Sequence, residues 1–199
     1  PKNINQEEAM LNISEIGYRY KNFGVHHDLK SRNDGADECL VNINCPEGDN
    51  WQKEKRGVVK LLMRIGMSNY ECSGSLVNNT HQNCIPYILT AFHCGDGASA
   101  NNLKQWIFYF GYEASTCNGT TGLLNKTSTG CTLIATDKWD GYFTTTSDFF
   151  LIRLNKSVPN SYQPYYNGWT LVDTAATEGV GIHHPQGDIK KISTFTRKL

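Results

Sequence analysis

The sequence predicts an all-β protein whose centre is an antiparallel β-barrel. Short apolar runs, broken by Asn, Gly, Thr and Ser, recur along most of the chain. Six such runs follow one another between Arg56 and Leu154, which is the number of strands that one small barrel requires. Helical periodicity is confined to Glu7–Gly17, so helices contribute little to the predicted fold.

The six predicted barrel strands are separated by turn-rich loops. They are RGVVKLLMRIG (56–66), ECSGSL (71–76), PYILTA (86–91), QWIFYFGY (105–112), CTLIAT (131–136) and DFFLIRL (148–154). Three later runs predict the opening strands of a second β unit, namely YYNGWTLV (165–172), GVGIHHP (179–185) and KKISTFT (190–196). The chain is therefore expected to divide into an N-terminal extension (1–38), a first barrel (39–160) and the beginning of a second barrel (161–199).

Charge and hydropathy exclude several classes of partner. The 199 residues carry 19 basic and 19 acidic side chains, so neither nucleic acid nor a membrane surface is predicted as a partner. No apolar stretch approaches the roughly 18 residues of a membrane-spanning helix. No signal peptide is visible at Pro1, and no cofactor is predicted.

The seven cysteines are dispersed rather than clustered. They stand at positions 39, 45, 72, 84, 94, 117 and 131, without the paired short spacings of a zinc knuckle or a redox C-x-x-C motif. Dispersed cysteines in a loop-rich β-domain indicate disulfides and an oxidising compartment, so a secreted protein is expected. Because the number is odd, one cysteine must be free or pair with something outside this chain.

Two residues carry the pattern of hydrolytic chemistry. His93 directly follows an apolar strand and precedes Cys94, while Asp148 heads another apolar strand. A histidine base and a carboxylate that orients it, in the order His then Asp, are two members of the triad that the chymotrypsin fold uses. Cys72, in the neighbouring predicted strand, is the natural disulfide partner of Cys94. Each residue alone has a purely structural explanation; together they favour catalysis.

Several longer segments resemble the secreted bacterial lysyl endopeptidase family, which are trypsin-like serine proteases with two β-barrels. The matching segments, in family order, are CLVNINCPEGD (39–49), CSGSLVNNT (72–80), YILTAFHC (87–94), STC (115–117), TSDFFLIRL (146–154), GW (168–169) and IHHPQGDIKKIS (182–193). The resemblance implies a chymotrypsin-like antiparallel β-barrel fold, with the first barrel complete and the second only begun within this chain.

The resemblance also implies roles for particular residues. It makes His93 the general base and Asp148 its orienting acid. It implies disulfides Cys72–Cys94 and Cys45–Cys117, and it assigns Cys39 to a partner in the C-terminal half of the family's domain. Cys84 and Cys131 have no counterpart in the family, and we expect them to pair with each other across neighbouring strands.

The chain departs from the family pattern at the nucleophile. In the family a glycine-rich serine loop follows the HHP segment, and this sequence contains none. Ser73 and Ser75 precede His93 and match a structural strand, so neither is expected to be the nucleophile. We expect the chain to be the N-terminal portion of a protease, completed by a second polypeptide or a missing segment linked through Cys39. Lys30 or Arg32 are candidate processing sites in the N-terminal extension.

The function predicted from the sequence is that of a secreted serine endopeptidase acting on peptides or proteins, with cleavage after Lys or another basic residue implied by kinship alone. Without its nucleophile, this chain by itself is expected to be inactive. The alternative is a catalytically inactive binding or adhesion module on a protease scaffold. A metal-dependent hydrolase using His183–His184 and His26–His27 is the weakest alternative, because adjacent histidines on a strand point to opposite faces. No metal site is predicted.

Overall fold

A computed structural model of the chain describes residues 40–138, 147–172, 174 and 176–196. Within them the protein is nearly all β, and its sheets are antiparallel, which confirms the predicted fold class. The segment Glu7–Gly17 with its helical periodicity, the candidate processing sites Lys30 and Arg32, the pair His26–His27, and Cys39 lie outside the described residues.

The described elements include ten strands and two one-turn helices. The strands are β1 (Val41–Asn42), β2 (Val58–Ile65), β3 (Ser68–Val77), β4 (Tyr87–Ala91), β5 (Ile107–Phe110), β6 (Thr127–Thr129), β7 (Cys131–Asp137), β8 (Phe149–Leu154), β9 (Gly179–His183) and β10 (Lys191–Phe195). The helices are α1 (Phe92–Gly95) and α2 (Ala100–Leu103). Short 3-10 helices cover Pro46–Trp51, Glu54–Gly57, Asn160–Tyr162 and Pro185–Gly187.

Seven strands form one antiparallel sheet in the order β6-β5-β2-β3-β4-β8-β7. Each of the six barrel strands predicted from the sequence overlaps one of them, so those predictions are confirmed. The sequence pattern missed β6, a three-residue strand of Thr and Ser. Polar strands of this length carry no apolar alternation from which they could be recognised.

The seven-stranded sheet curls because Gly130 joins its two outer strands, β6 and β7. The Gly130 N–H donates to the Trp106 carbonyl at 2.9 Å, and the Gly130 carbonyl accepts from the Asn155 N–H at 3.1 Å. The backbone of Gly130 has a φ of +83°, and a Cβ there would lie 2.7 Å from the Asn155 side chain. Only glycine adopts this conformation in that space without strain, so one residue links the two margins of the sheet.

The concave side of the curled sheet encloses the apolar core. Strand alternation supplies it: on β2, Val59, Leu61 and Met63 are fully buried, and the inward residues of β5 and β8 face them. Burial of these side chains is the main force that holds the strands together. The further fully or almost fully buried members are Leu76, Ile88, Trp106, Phe108, Phe110, Phe150, Ile152 and Leu154.

Three strands form a second, smaller sheet in the order β1-β10-β9. Strand β9 lies within the segment predicted from GVGIHHP, and β10 lies within KKISTFT. Strand β1 pairs with β10 through Val41 and Ile192. The start of the region assigned to the first barrel is therefore hydrogen-bonded to the region assigned to the second.

The strand predicted at YYNGWTLV (165–172) is wrong. This segment forms only an isolated parallel bridge between Asn167 and Val77. The Trp169 indole N–H donates to the Asn78 carbonyl at 3.0 Å, while Leu171 is 88% exposed. Beyond this bridge to the end of β3, the segment makes no strand pairing among the described residues, and an apolar run alone does not specify a strand.

Within the described part of the chain two disulfides are present, Cys72–Cys94 and Cys45–Cys117, at the pairings that the family resemblance implied. The predicted Cys84–Cys131 bridge is wrong, because both thiols are free. Strand β8 lies between β4, which follows Cys84, and β7, which begins at Cys131. Two strand spacings of about 4.8 Å exceed the reach of a disulfide. Cys131 is buried in the core, which raises its pKa to about 12, whereas Cys84 is exposed.

Buried charged groups connect the two sheets. The Lys190 ammonium is fully buried and donates to the Lys55 carbonyl at 2.7 Å and to a Glu113 carboxylate oxygen at 3.1 Å. Burial raises the pKa of Glu113, but the ammonium groups of Lys190 and Lys55 outweigh that effect and hold its pKa below the ordinary value. Separating such a pair would leave an uncompensated charge in the interior, which is strongly destabilising. The pair therefore stabilises the contact between the two sheets.

His184 lies at the same junction and is almost completely buried. Its backbone N–H donates to the Ser73 hydroxyl at 2.7 Å, its ring Nδ1 lies 2.9 Å from the Asp188 carbonyl, and the ring stacks on Tyr112. Burial, followed by the charge of Lys190, holds the pKa of His184 well below its ordinary value. His184 is therefore neutral at a pH where the same residue in the unfolded chain is already protonated.

We expect the protein to lose stability as the pH falls below about 6.5, the ordinary pKa of histidine. Below that value the unfolded chain binds a proton at His184 that the folded chain does not. The free energy of unfolding then falls by up to about 1.4 kcal/mol per pH unit. Urea unfolding at pH 7 and pH 5.5 measures this. His184→Gln, which replaces the ring by a polar side chain that does not titrate, should flatten the dependence.

The matched control for this experiment is His183→Gln. His183 is the neighbouring residue and is only partly buried, so the variant should keep the wild-type dependence on pH. Equal slopes for wild type and His184→Gln would contradict the assignment of the acid sensitivity to His184.

Candidate active site

His93 and Asp148 come together because β4 and β8 are antiparallel neighbours. In their register Ala91, the last residue of β4, lies opposite Phe149, the first residue of β8. His93 follows Ala91 by two residues and Asp148 directly precedes Phe149. The pairing of the two strands therefore places both side chains at one corner of the sheet, as the sequence pattern predicted.

Backbone hydrogen bonds continue beyond the strand ends and define this corner. The chain leaves β4 at Ala91 in an extended conformation and enters the single turn of α1. The first N–H of that turn, on Phe92, donates to the Asp148 carbonyl at 2.9 Å. This bond extends the hydrogen bonding between the two chain segments by one residue beyond the ends of β4 and β8.

The Asp148 carboxylate makes a bidentate contact with His93, because each of its two oxygens meets a different nitrogen of that residue. The ring Nδ1 of His93 lies 2.7 Å from Asp148 Oδ2, and the His93 backbone N–H donates to Oδ1 at 2.9 Å. Since a carboxylate is only an acceptor, Nδ1 carries the proton. The other ring nitrogen, Nε2, then has a free lone pair and is the basic atom. The His93 side chain is 60% exposed, so that lone pair is accessible.

The Asp148 carboxylate is kept ionised by the same contacts. Partial burial raises its pKa, but the hydrogen bonds from the backbone and ring of His93 and the attraction of the imidazole outweigh burial. The pKa of Asp148 therefore lies below its ordinary value. An ionised carboxylate on Nδ1 is what a histidine base requires, because it stabilises the imidazolium that forms when Nε2 takes a proton.

Asp148 has an unusual backbone conformation. Its φ is +49°, in the left-handed region, where residues with a Cβ are uncommon and Asp and Asn are enriched. This conformation brings the carboxylate back towards α1 while the chain continues into β8. The surrounding structure must hold it, because the left-handed region costs free energy for any residue with a side chain.

Two features fix α1 against the barrel. The Cys72–Cys94 disulfide ties the residue after His93 to β3. Beneath α1, Gly95 lies so close to Phe150 that a Cβ would be 2.8 Å from the ring. Phe150 in turn stacks on Trp106, with ring centroids 5.9 Å apart. Neither Gly95 nor Phe150 was predicted from the sequence to support the site, although a glycine directly after the disulfide cysteine was an available signal.

The two serines that precede His93 are used structurally. The Ser73 hydroxyl accepts the His184 N–H at 2.7 Å, and the Ser75 hydroxyl accepts from the Asn167 side-chain amide at 2.9 Å. Among the residues that the structure describes, no serine hydroxyl is hydrogen-bonded to the ring of His93. The expectation that neither serine is the nucleophile is consistent with these contacts.

Among the described residues, no three or more His, Cys, Asp or Glu side chains form a group that could hold a metal ion. Within these residues no helix is both long enough and apolar enough to span a membrane.

A histidine at the end of one antiparallel strand, bonded to an aspartate at the start of the strand beside it, is the arrangement that chymotrypsin-like serine proteases use for the base and its orienting acid. Comparison with known proteins gives the particular family. Residues 33–199 match the family described as lysyl endopeptidase, C-terminal domain, and the chain belongs to that family.

Two individual proteins illustrate the similarity. A lysyl endopeptidase of Pseudomonas aeruginosa is 28% identical over 206 aligned positions, which cover 97% of this chain and 41% of the relative. The chain thus spans about two fifths of that relative's length. The crystal structure of the Drosophila Grass clip serine protease of the Toll pathway resembles the chain at a TM-score of 0.46 and 16% identity, covering 86% of this chain and 48% of that chain.

Replacement of Gly95 by Ala should destabilise the protein and disturb the active-site corner. The added methyl group would collide with the Phe150 ring, and overpacking of this kind costs about 1–3 kcal/mol. Thermal and urea unfolding measure the loss. Gly181→Ala is the control, since a Cβ there meets nothing within 4 Å. Equal stability of the two variants would contradict the close packing of α1 on Phe150.

Proposed function

We propose that this chain supplies the general base and the orienting acid of a serine endopeptidase. The observation that carries the proposal is the bidentate contact between His93 and Asp148, at 2.7 Å and 2.9 Å. It fixes the tautomer of the ring, its orientation and its compensating charge at once. A histidine that served only to stabilise the fold would not need an exposed Nε2.

The proposed reaction begins when a serine hydroxyl attacks the carbonyl carbon of the peptide bond. His93 Nε2 takes the hydroxyl proton as the new C–O bond forms, and Asp148 stabilises the imidazolium. The imidazolium then gives the proton to the departing amine, which leaves an acyl-enzyme. Water, activated by the same nitrogen, hydrolyses the ester and regenerates the serine. We propose that the nucleophilic serine and its oxyanion donors lie outside the residues of this chain.

The substrate and location follow from the family rather than from a residue of the site. Cleavage of peptides or proteins after Lys or another basic residue is proposed because the family and the Pseudomonas relative are lysyl endopeptidases. Two disulfides in the described part of the chain favour a secreted, extracellular protein.

A further part of the proposal concerns Cys39. We propose that it forms a disulfide with the polypeptide that completes the second barrel, as the resemblance implies. If that polypeptide is a separate chain, the mass of the native protein falls to 22.3 kDa on reduction. A disulfide between Cys39 and Cys84 or Cys131 would contradict this pairing.

The alternative is a binding module that keeps the protease scaffold without its chemistry. The observation that favours it is the structural use of Ser73 and Ser75, which leaves His93 without a serine partner among the described residues. A binding module, however, has no use for an ionised carboxylate held on Nδ1 of an exposed imidazole. The endopeptidase is therefore the better supported function.

Cleavage kinetics of the whole protein test the proposal. Peptide amides with Lys, Arg or Leu before the scissile bond separate activity from specificity, and we expect the Lys substrate to be cleaved best. Asp148→Asn should lower kcat by about 10⁴-fold, because the ring then adopts the wrong tautomer. His93→Ala should lower kcat at least as far, because it removes the base.

The control is His81→Ala, which removes an exposed histidine whose side chain takes no part in the site. It should leave kcat and KM unchanged. Wild-type rates in His93→Ala would refute the proposed function, and the absence of cleavage in the wild-type whole protein would favour the binding module.

A further inference from the structure

A second aspartate, Asp137, lies next to the His93–Asp148 pair. Its carboxylate is hydrogen-bonded to Ser147 and not to the ring of His93. Asp137 is the last residue of β7 and lies opposite Phe149 in the β7–β8 ladder. Its Oδ2 accepts two hydrogen bonds from Ser147, one from the backbone N–H and one from the hydroxyl, both at 2.9 Å. Asp137 therefore fastens the residue that directly precedes Asp148.

The residue that follows Asp148 is fastened to the same strand. The Thr136 hydroxyl donates to the Phe149 carbonyl at 3.0 Å. Ser147 and Phe149 are thus both tied to the end of β7, and Asp148 lies between them. These contacts add to the bond from the Phe92 N–H to the Asp148 carbonyl, so the backbone of Asp148 is held from β7 and from α1.

Asp148 needs this support because of its conformation. Its φ of +49° is a minor state for a residue with a Cβ, and such states persist only when neighbouring contacts determine them. If the backbone relaxed to an ordinary extended φ, the carboxylate would turn away from α1. Both hydrogen bonds to His93 would then be lost together, because they depend on one carboxylate.

We propose that Asp137 is a positioning residue that, through Ser147, holds Asp148 in the left-handed conformation and so orients the ring of His93. The inference rests on the proposed function, because it assigns Asp137 to the same active site. Asp137 touches neither the ring nor the reacting atoms. Its means of action are the two hydrogen bonds from Ser147, and its negative charge is not required for them.

The tautomer of His93 in the whole protein measures this effect directly. Ring ¹⁵N chemical shifts distinguish an imidazole protonated on Nδ1 from one protonated on Nε2, and His93→Gln assigns the signal. In the wild type we expect the Nδ1–H form to dominate. In Asp137→Ala the ratio of the Nδ1–H to the Nε2–H form should fall by about tenfold, as the loss of a charge-assisted hydrogen bond implies.

Asp137→Asn is the rescue variant, because its amide oxygen still accepts from both Ser147 donors. It should keep the wild-type ratio. Asp49→Ala, which removes an exposed carboxylate on the 3-10 helix Pro46–Trp51, is the matched control and should also keep it. Near-UV circular dichroism establishes that each variant is folded, so that a general loss of structure is not mistaken for a change of tautomer.

If Asp137→Ala does not fold, Ser147→Ala replaces it, since it removes only the hydroxyl donor and should lower the ratio by a smaller factor. A wild-type ratio in folded Asp137→Ala or in Ser147→Ala would overturn the inference, as would an Asp137→Asn ratio that has fallen as far as that of Asp137→Ala. Because the ratio is measured without substrate, absence of proteolysis would refute the proposed function and leave this result unaffected.

Discussion

The corner of the sheet that holds His93 and Asp148 depends on one constraint, the register between β4 and β8. Ile88 lies opposite Ile152, and both side chains are completely buried. A slip of one residue would turn these side chains out of the core and would move His93 past Asp148 by about 3.3 Å. The burial of two isoleucines thus sets the distance between two polar groups that lie at the exposed end of the same strands.

Covalent and steric contacts then remove the freedom that the register leaves. The Cys72–Cys94 disulfide closes a loop with a sequence separation of 22 residues, and constraints of this size stabilise a fold by about 3 kcal/mol. Phe150 fills the space under Gly95, so α1 cannot move towards the barrel. Ser147 and Phe149, on either side of Asp148, are hydrogen-bonded to residues at the end of β7. A histidine base accepts a proton only in one orientation, and rigid elements are needed to keep it in that orientation.

What could be predicted from the sequence was limited to information that lies in local patterns. Short apolar runs between turn-rich loops identified β2 and β8, and the order of a histidine and an aspartate at strand ends identified the pair. The Cys84–Cys131 bridge was wrong because strand neighbours cannot be deduced from chain order, and β8 inserts between β4 and β7. Nothing in the sequence around Asp137 distinguishes it from any other polar residue at the end of a strand. Its role follows from the left-handed conformation of Asp148.

The most direct test of the central claim is labelling of the whole protein with a fluorophosphonate, followed by mass-spectrometric location of the adduct. The account predicts that one serine other than Ser73 and Ser75 reacts in the wild type, because His93 activates it. It also predicts that labelling disappears in His93→Ala. An adduct that forms equally well in His93→Ala, or that lies on Ser73 or Ser75, would contradict the claim that this corner supplies the base of a serine protease.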